Sequence, residues 1–177
     1  MINIRDCERV MVESPSDLAQ FSCGDEDLDD FFANDAYLYD KQLLGKTYYF
    51  AMKGSEKIVG AFTVANDSIK ASLISTSIRN KLQRKIPNTK RTRSYPAVLI
   101  GRIGVASDLK GNNIGSQIVE YIKFWFTRNT NKSGCRYVVV DAYNTKGVLS
   151  FYERNEFKYL YATEEEERET FGLAEGE

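Results

Sequence analysis

A segment rich in glycine and asparagine has the residue types that could bind an anion. It consists of Lys110, Gly111, Asn112, Asn113, Ile114, Gly115 and Ser116. Glycine and asparagine tolerate the left-handed backbone that lets several N–H groups point at one anion. From Ile114 onward apolar residues recur at helical spacing, so the segment opens a helix whose first N–H groups lack partners and carry partial positive charge. These features indicate a pyrophosphate site, although an ordinary strand–turn–helix connection has them too.

The absence of histidine restricts the acid–base chemistry that the chain can perform. It excludes a Ser-His-Asp triad, a Cys-His pair and a histidine-built zinc site. Proton transfer falls to other groups, such as the phenol of a tyrosine, which is protonated at neutral pH and can donate. The three cysteines lie far apart, at Cys7, Cys23 and Cys135. They are typical of reduced thiols in a cytoplasmic protein, and no pair has metal-ligand spacing.

The hydrophobic pattern around this segment predicts the elements that position it. A buried strand, Val98–Val105, runs into the loop, and a helix follows from Ile114. Arg136–Ala142 is a second core strand, expected to lie parallel to the first because a helix connects them. Further expected elements are a strand within Asp6–Glu13, a helix over Asp25–Leu44, a hairpin of Thr47–Met52 and Ile58–Ala65, helices over Ser75–Lys85 and Asn144–Asn155, a short final strand Phe157–Tyr161 and an edge strand around Phe171. The order predicts an α+β (α/β-like) fold with a mixed central sheet flanked by helices.

Charge is distributed unevenly along the 177 residues, whose formal net charge is −1. The segment 163–177 is strongly acidic, and we expect it to form a tail that resists packing. Residues 79–93 contain seven basic residues and no acidic residue. Such a run is a solvated surface or binds an anionic partner, either cofactor phosphates or a nucleic-acid backbone. We expect a single domain over 1–177, with no membrane segment or secretory signal.

Three stretches resemble the GNAT N-acetyltransferases. The first is Lys110-Gly111-Asn112-Asn113-Ile114-Gly115, similar to the family's Gln/Arg-x-x-Gly-x-Gly/Ala loop, with Lys110 and Asn113 replacing its usual residues. The second is Val138-Val139-Val140-Asp141-Ala142-Tyr143-Asn144, and the third is Phe151-Tyr152-Glu153-Arg154-Asn155-Glu156-Phe157. The likeness covers roughly residues 21–160. Residues 21–31, 58–62 and 96–105 also resemble a subgroup that includes toxins of toxin–antitoxin modules, which acetylate aminoacyl-tRNA.

The resemblance implies acetyl-CoA as co-substrate and no metal. Residues 110–116 are expected to hold its pyrophosphate, and backbone at Ile103, Gly104 and Val105 to hold its pantetheine arm, with Asn144 contacting the arm. The two core parallel strands are expected to splay there, with Gly104 suited to a bulge. Tyr152 is expected to be the general acid that protonates the leaving thiolate. Asp141 and Glu153 are base candidates by location alone.

Three functions remain open from the sequence. The main prediction is an N-acetyltransferase acting on the primary amine of a small molecule, peptide or protein. The first alternative is a toxin-type acetyltransferase of aminoacyl-tRNA, with tRNA contacts through Arg84, Lys85, Lys90 and Arg91. The second is a non-catalytic acyl-CoA-binding regulatory domain. An antitoxin partner and a homodimer are open as well.

Overall fold

The computed structural model describes residues 2–89 and 92–172. Within these residues, strands form one sheet in the order β1-β2-β3-β4-β5. They are β1 (Cys7–Met11), β2 (Lys46–Met52), β3 (Ile58–Lys70), β4 (Ser94–Val105) and β5 (Tyr137–Val140). β1 to β4 pair antiparallel, and β4 pairs parallel with β5. The predicted mixed sheet, with an early hairpin and a parallel central pair, is confirmed.

Helices cover both faces of this sheet. They are α1 (Glu26–Asp30), α2 (Ala36–Lys41), α3 (Thr76–Gln83), α4 (Ile114–Phe126), α5 (Lys146–Arg154) and α6 (Glu164–Phe171). A π-helical turn, Phe31–Asp35, joins α1 to α2 inside the helix predicted from Asp25 to Leu44. The wider turn accompanies burial of two adjacent rings, Phe31 and Phe32, against the core. None of the helices described here is long and apolar enough to cross a membrane.

The side chains of β3 point alternately to the two faces of the sheet, and their contacts show which helices cover each face. Phe62 stacks on Tyr48 of β2, and its ring centre lies 6.4 Å from that of Trp125 in α4. Gly60 allows this close packing, because a Cβ there would lie 2.8 Å from Cδ1 of Ile118. On the opposite face, Ile69 belongs to a separate cluster with side chains of α3. The two helix layers bury both faces of the sheet. The candidate site lies where neither layer covers it, at the carboxyl ends of β4 and β5.

Two predictions about the chain's last third were wrong. Phe157–Tyr161 is irregular, because Phe157 packs on Tyr152 and the Tyr159 hydroxyl donates to Glu153 instead of joining the sheet. The edge strand expected near Phe171 is replaced by α6, which runs through residue 171 and buries none of its side chains. Residues 173–177 lie outside the described ranges. Four glutamates in the first turn are favourable there, because the N-terminus of a helix attracts negative charge.

The β3–β4 ribbon is longer than predicted. Pairing runs from Gly60 and Val105 to Lys70 and Ser94, past the predicted strand ends at Ala65 and Val98. The polar residues in this extension have low strand propensity, but cross-strand pairing overrides that preference. The extension carries the ribbon under α3.

Candidate active site

The parallel strands β4 and β5 separate halfway along β4. Their pairing runs from Ala97–Tyr137 to Ile100–Val140 and stops there, whereas β4 continues to Val105. The backbone on the β5 side of residues 101–105 therefore has no strand partner among the described residues. The expected splay is confirmed. Ile103, Gly104 and Val105 lie in this unpaired segment, which we call the cleft edge.

The bulge in β4 lies at Gly101, so the expectation that Gly104 provides it was wrong. Thr63 pairs with Arg102 while Val64 pairs with Ile100, which leaves Gly101 without an opposite residue. Gly104 instead allows close packing, since a Cβ there would lie 3.0 Å from the Phe32 ring. Because Gly101 is the extra residue, Ile100 and Arg102 pair with the consecutive residues Val64 and Thr63 and so lie on opposite faces of the sheet.

The loop before α4 combines left-handed backbone with free helix N–H groups, which suits the binding of an anion. Gly111 and Asn113 adopt left-handed backbone, with φ of 82° and 59°. Asn113 precedes the helix without a side-chain cap bond, so the N–H groups of Ile114, Gly115 and Ser116 lack intrahelical acceptors. Asn112 holds the turn by donating through Nδ2 to the Leu109 carbonyl at 3.1 Å. We call residues 110–116 the cradle.

The cradle is fastened to α5 by close packing and by one amide. A Cβ on Gly115 would lie 3.1 Å from the Phe151 ring, so only glycine lets the two helices approach this closely. Asn155, buried at the end of α5, donates through Nδ2 to Ser116 Oγ at 3.1 Å and to the Phe151 carbonyl at 2.8 Å. The sequence analysis did not identify this link. The contact fixes Tyr152 relative to the cradle.

Tyr152 holds a protonated phenol at the base of α5. Its ring is 8% exposed and packs edge-on against Phe151 and Phe157, with ring centres 5.0 and 5.3 Å away. Among the described residues its hydroxyl makes no hydrogen bond. Burial raises the pKa of Tyr152 to about 12, because desolvation disfavours the phenolate. The hydroxyl is thus an unused donor at neutral pH.

The other polar side chains predicted near the cleft are engaged elsewhere or exposed. Asn144 donates through Nδ2 to Glu164 of α6 at 3.1 Å. Glu153 accepts a hydrogen bond from the Tyr159 hydroxyl. Asp141 is exposed just past β5, and partial desolvation, followed by the charge of Asp67, raises its pKa. The structure brings none of these three to the Tyr152 hydroxyl, and the contact of Asn144 with the cofactor arm stays a prediction.

Asp29 organises the loop that lies against the cradle. Its carboxylate accepts hydrogen bonds from Ser22 Oγ and Cys23 N, both at 2.6 Å, and from Gly24 N at 3.2 Å. Burial disfavours the ionised form of Asp29, but the stabilisation by these hydrogen bonds is larger, so the pKa of Asp29 is lowered. The loop matters for the site because the backbone N–H of Ser107 donates to Ser22, and a Cβ on Gly24 would lie 3.6 Å from the Lys110 ammonium. The sequence analysis did not identify Asp29.

Replacing Asp29 with alanine is expected to lower the free energy of unfolding by about 2–4 kcal/mol, because two strong charge-assisted bonds and one weaker bond are lost. Urea unfolding measures this, with Asp35→Ala as control, since Asp35 is exposed and makes no side-chain cap bond. A folded-state pKa below the unfolded value means that the stabilisation is present above about pH 4 and is lost as pH falls further. An equal loss in both variants would contradict the assignment.

A basic depression lies at the opposite end of β5 from the cleft. It encloses about 300 Å³ and is lined by Lys81, Leu82, Arg84, Lys85, Arg136 and Tyr137. The Tyr137 hydroxyl anchors α3 there by donating to the Leu82 carbonyl at 2.6 Å. We call its four cations, Lys81, Arg84, Lys85 and Arg136, the basic groove. Arg136 was missed as a cationic residue because only the fold brings it beside α3, whereas Lys90 and Arg91 lie outside the described residues.

Comparison with known proteins gives structural matches only. No family model and no curated protein sequence matches the chain. A tyrosine-to-phenylalanine mutant of KacT superposes with a TM-score of 0.71 at 18% identity, over 90% of this chain and 91% of that chain. AtaT complexed with acetyl-methionyl-tRNAfMet gives 0.70 at 19% identity, over 91% and 92%. AtaTR bound with acetyl-CoA gives 0.66 at 21% identity, over 89% of each chain.

These likenesses extend along about nine-tenths of this chain and of each matched chain. At such low identity the comparison establishes the fold and leaves the activity to be argued from the residues. The chain therefore has the GNAT fold, in the form seen in the toxin structures of KacT and AtaT.

Proposed function

We propose that the chain is an acetyl-CoA-dependent N-acetyltransferase that transfers the acetyl group directly to a primary amine. The observation that carries this proposal is the open cleft edge beside the cradle. A diphosphate bound at free helix N–H groups places its attached chain along unpaired β4 backbone, which can hydrogen-bond an amide-containing arm. The similar structure of AtaTR bound with acetyl-CoA supports the same donor.

The residues present fit acetyl-CoA. The cradle offers unpaired N–H groups, the positive end of the α4 dipole and the exposed Lys110, all suited to phosphate. The open space around Gly111 leaves room for it, since a Cβ there would meet no atom within 4 Å. When bound, acetyl-CoA supplies an activated thioester. The chain's own residues then orient the acceptor amine and allow its proton to reach the departing thiol.

Tyr152 is proposed to donate a hydrogen bond to the departing sulfur. Burial raises the pKa of Tyr152 to about 12, so the phenol is a weak acid towards a thiolate, whose thiol has an ordinary pKa of about 8.5. The proton that ends on the thiol therefore comes from the acceptor amine, and Tyr152 stabilises the developing negative charge. The phenol acts as an electrostatic donor more than as a full general acid.

A covalent intermediate on cysteine is disfavoured. Cys23 is the buried thiol nearest the cleft edge, since a Cβ on Gly104 would lie 3.3 Å from its Sγ. Burial, followed by its hydrogen bond with the Asp29 carboxylate, raises the pKa of Cys23 to about 11. The thiol is therefore protonated and poorly nucleophilic at neutral pH. Direct transfer to the amine needs no such intermediate.

We further infer that the acceptor is the α-amine of an aminoacyl-tRNA. An α-amine has a pKa of about 7.7–8.0 and is partly neutral without a dedicated base, which fits the lack of a base beside Tyr152 among the described residues. The basic groove offers phosphate contacts at the far end of β5, a strand that spans roughly 13 Å. AtaT complexed with acetyl-methionyl-tRNAfMet supports the same acceptor class. An antitoxin partner is proposed on the structure of the AtaT mutant toxin bound to the C-terminus of AtaR.

Acetyl-CoA at 100 times its dissociation constant is expected to add about 2.7 kcal/mol to the stability, raising Tm by about 5–10 °C. Gly111→Val should abolish most of this shift, because a side chain there blocks the cradle. Gly54→Val is the matched control, since Gly54 also has positive φ and open space around its Cβ position. If the Tm of the unaltered protein does not change at millimolar acetyl-CoA, the proposal is rejected.

A further inference from the structure

Arg102 places a cation at the cleft on the face of the sheet opposite α4. It pairs with Thr63 of β3, beyond the point where β5 leaves β4. The next residue, Ile103, pairs with Phe62, which packs against α4. Alternation therefore directs Arg102 to the other face, where its guanidinium carbon lies 5.0 Å from the ring centre of Phe31.

The hydrogen-bonding capacity of Arg102 is largely unused. Its Nη1 donates to the carbonyl of Gly101 at 2.8 Å, whereas Nε is buried and has no partner. Within residues 2–89 and 92–172, no carboxylate lies within ion-pair distance of it. A guanidinium has five N–H donors in a planar fork that matches oxygen acceptors. Leaving such a donor unpaired in a buried position costs free energy, so a bound acceptor atom has a ready partner here.

Tyr143 and Asp27 provide a hydrogen-bond acceptor near the donor groups of Arg102. Tyr143 is exposed just beyond β5, and its hydroxyl donates to Asp27 Oδ2 at 3.1 Å. This hydrogen bond raises the pKa of Tyr143, and the charge of Arg102 opposes the rise, so the cation lies within electrostatic range of the phenol. A donor fork and a carboxylate thus both lie close to Tyr143, just beyond the carboxyl end of β5. An α-aminoacyl group has the complementary pair, a carbonyl acceptor and an amine donor.

We propose that Arg102 is a positioning residue that binds the carbonyl oxygen of an α-aminoacyl acceptor and so turns its α-amine towards the cleft. The inference rests on the proposed acetyl transfer. Arg102 and the basic groove lie on the same sheet face, because β3 residues Thr63 and Ile69 alternate onto the face that α3 covers. An acceptor held by the groove therefore approaches the cleft from the side of Arg102.

The test compares two small acceptors, an amino-acid amide and an alkylamine of equal length without the carbonyl. Arg102→Gln should raise KM for the amide about 10- to 100-fold, because a hydrogen bond to a charged group is lost, and change KM for the alkylamine less than about twofold. Arg102→Lys, which keeps the charge without the fork, should give an intermediate KM for the amide. Arg128→Gln is the matched control, since Arg128 stacks on Phe124 outside the cleft.

Several results would overturn the assignment of Arg102. One is an equal rise in KM for both acceptors, and another is an unchanged KM for the amide. A loss confined to aminoacyl-tRNA would assign the guanidinium to a phosphate instead of the carbonyl. If Arg102→Gln does not fold, Arg102→Lys decides by the same comparison of KM values. Failure of the unaltered protein to acetylate any amine, aminoacyl-tRNA included, would overturn the proposed function as well.

Discussion

Replacing Tyr152 with phenylalanine is expected to lower kcat by about 100- to 1,000-fold, the effect typical of losing one donor to developing charge. The fold should tolerate the change, because the ring contacts with Phe151 and Phe157 remain and the lost hydroxyl has no partner among the described residues. The thermal shift produced by acetyl-CoA should stay the same. Initial rates at saturating substrates measure the effect.

Tyr159→Phe is the control for that measurement. Tyr159 is exposed, and its hydroxyl donates to Glu153 at the outer side of α5. Its removal should leave kcat unchanged. An unchanged kcat in Tyr152→Phe would remove its proposed role. A thermal shift with acetyl-CoA but no turnover in the unaltered protein would favour the non-catalytic acyl-CoA-binding alternative.

The pH profile gives a second readout of Tyr152. The rate kcat/KM should rise as the acceptor α-amine loses its proton near pH 8 and then stay level to about pH 10. The plateau follows from the raised pKa of Tyr152, about 12, which keeps the donor protonated over this range. A fall in rate that begins near pH 9 would show a phenol less shielded than the structure indicates.

Removing three charges from the basic groove is expected to weaken tRNA binding about 10- to 100-fold at 0.15 M salt. The variant combines Arg84→Gln, Lys85→Gln and Arg136→Gln. Each lost phosphate contact should also lower the slope of log affinity against log salt by about 0.7–0.9, or about 2–3 in total. Titrations of labelled tRNA at several salt concentrations measure both quantities. Growth arrest on expression, if the toxin proposal holds, should be relieved in parallel.

The control variant removes the same net charge from other exposed cations, Arg5, Lys53 and Lys158. It should bind tRNA nearly as the unaltered protein does. The groove variant should retain its rate with small amine acceptors, since the groove lies away from Tyr152. Equal weakening in both variants would mean that net charge alone attracts tRNA and would remove the groove from the account.

The strand, cradle and helix at the centre of the site could be predicted from the sequence because their signals are local. Apolar residues change period at Ile114, and glycine and asparagine mark the turn before it. The parallel pairing of β4 and β5 followed from the helix between them. The exact place of the bulge did not follow, since both Gly101 and Gly104 suited it and only the register with β3 selects Gly101.

Residues whose roles depend on contacts distant in sequence were missed. The position of Arg102 at the cleft depends on its contact with Phe31 and on the end of the β4–β5 pairing. The residues next to Arg102 in sequence indicate neither. Asp29 resembled one of several acidic residues at the start of a helix, and its hydrogen bonds to the preceding loop need the folded turn. Arg136 joins the basic groove because β5 ends beside α3. No local pattern signals these contacts.

Helix α6 had a local signal that the sequence analysis did not use. Thr163 followed by Glu166 is the spacing of a capping box, and Thr163 Oγ1 accepts from the Glu166 N–H at 3.1 Å. The density of glutamates suggested a solvated tail instead. The alternating aromatic residues from Phe157 to Tyr161 led to the wrong prediction of a strand, because alternation is typical of strands. In the structure these side chains pack on α5 and α6 instead.

Incubating the protein with acetyl-labelled acetyl-CoA and a mixture of charged tRNAs tests the central claim most directly. Label should appear on the α-amine of the aminoacyl group, depend on charging, and fall at least about 100-fold with Tyr152→Phe. Deacylated tRNA, which lacks the amine, should take up none. Absence of label from every charged tRNA, with acetyl-CoA left intact, would contradict the account.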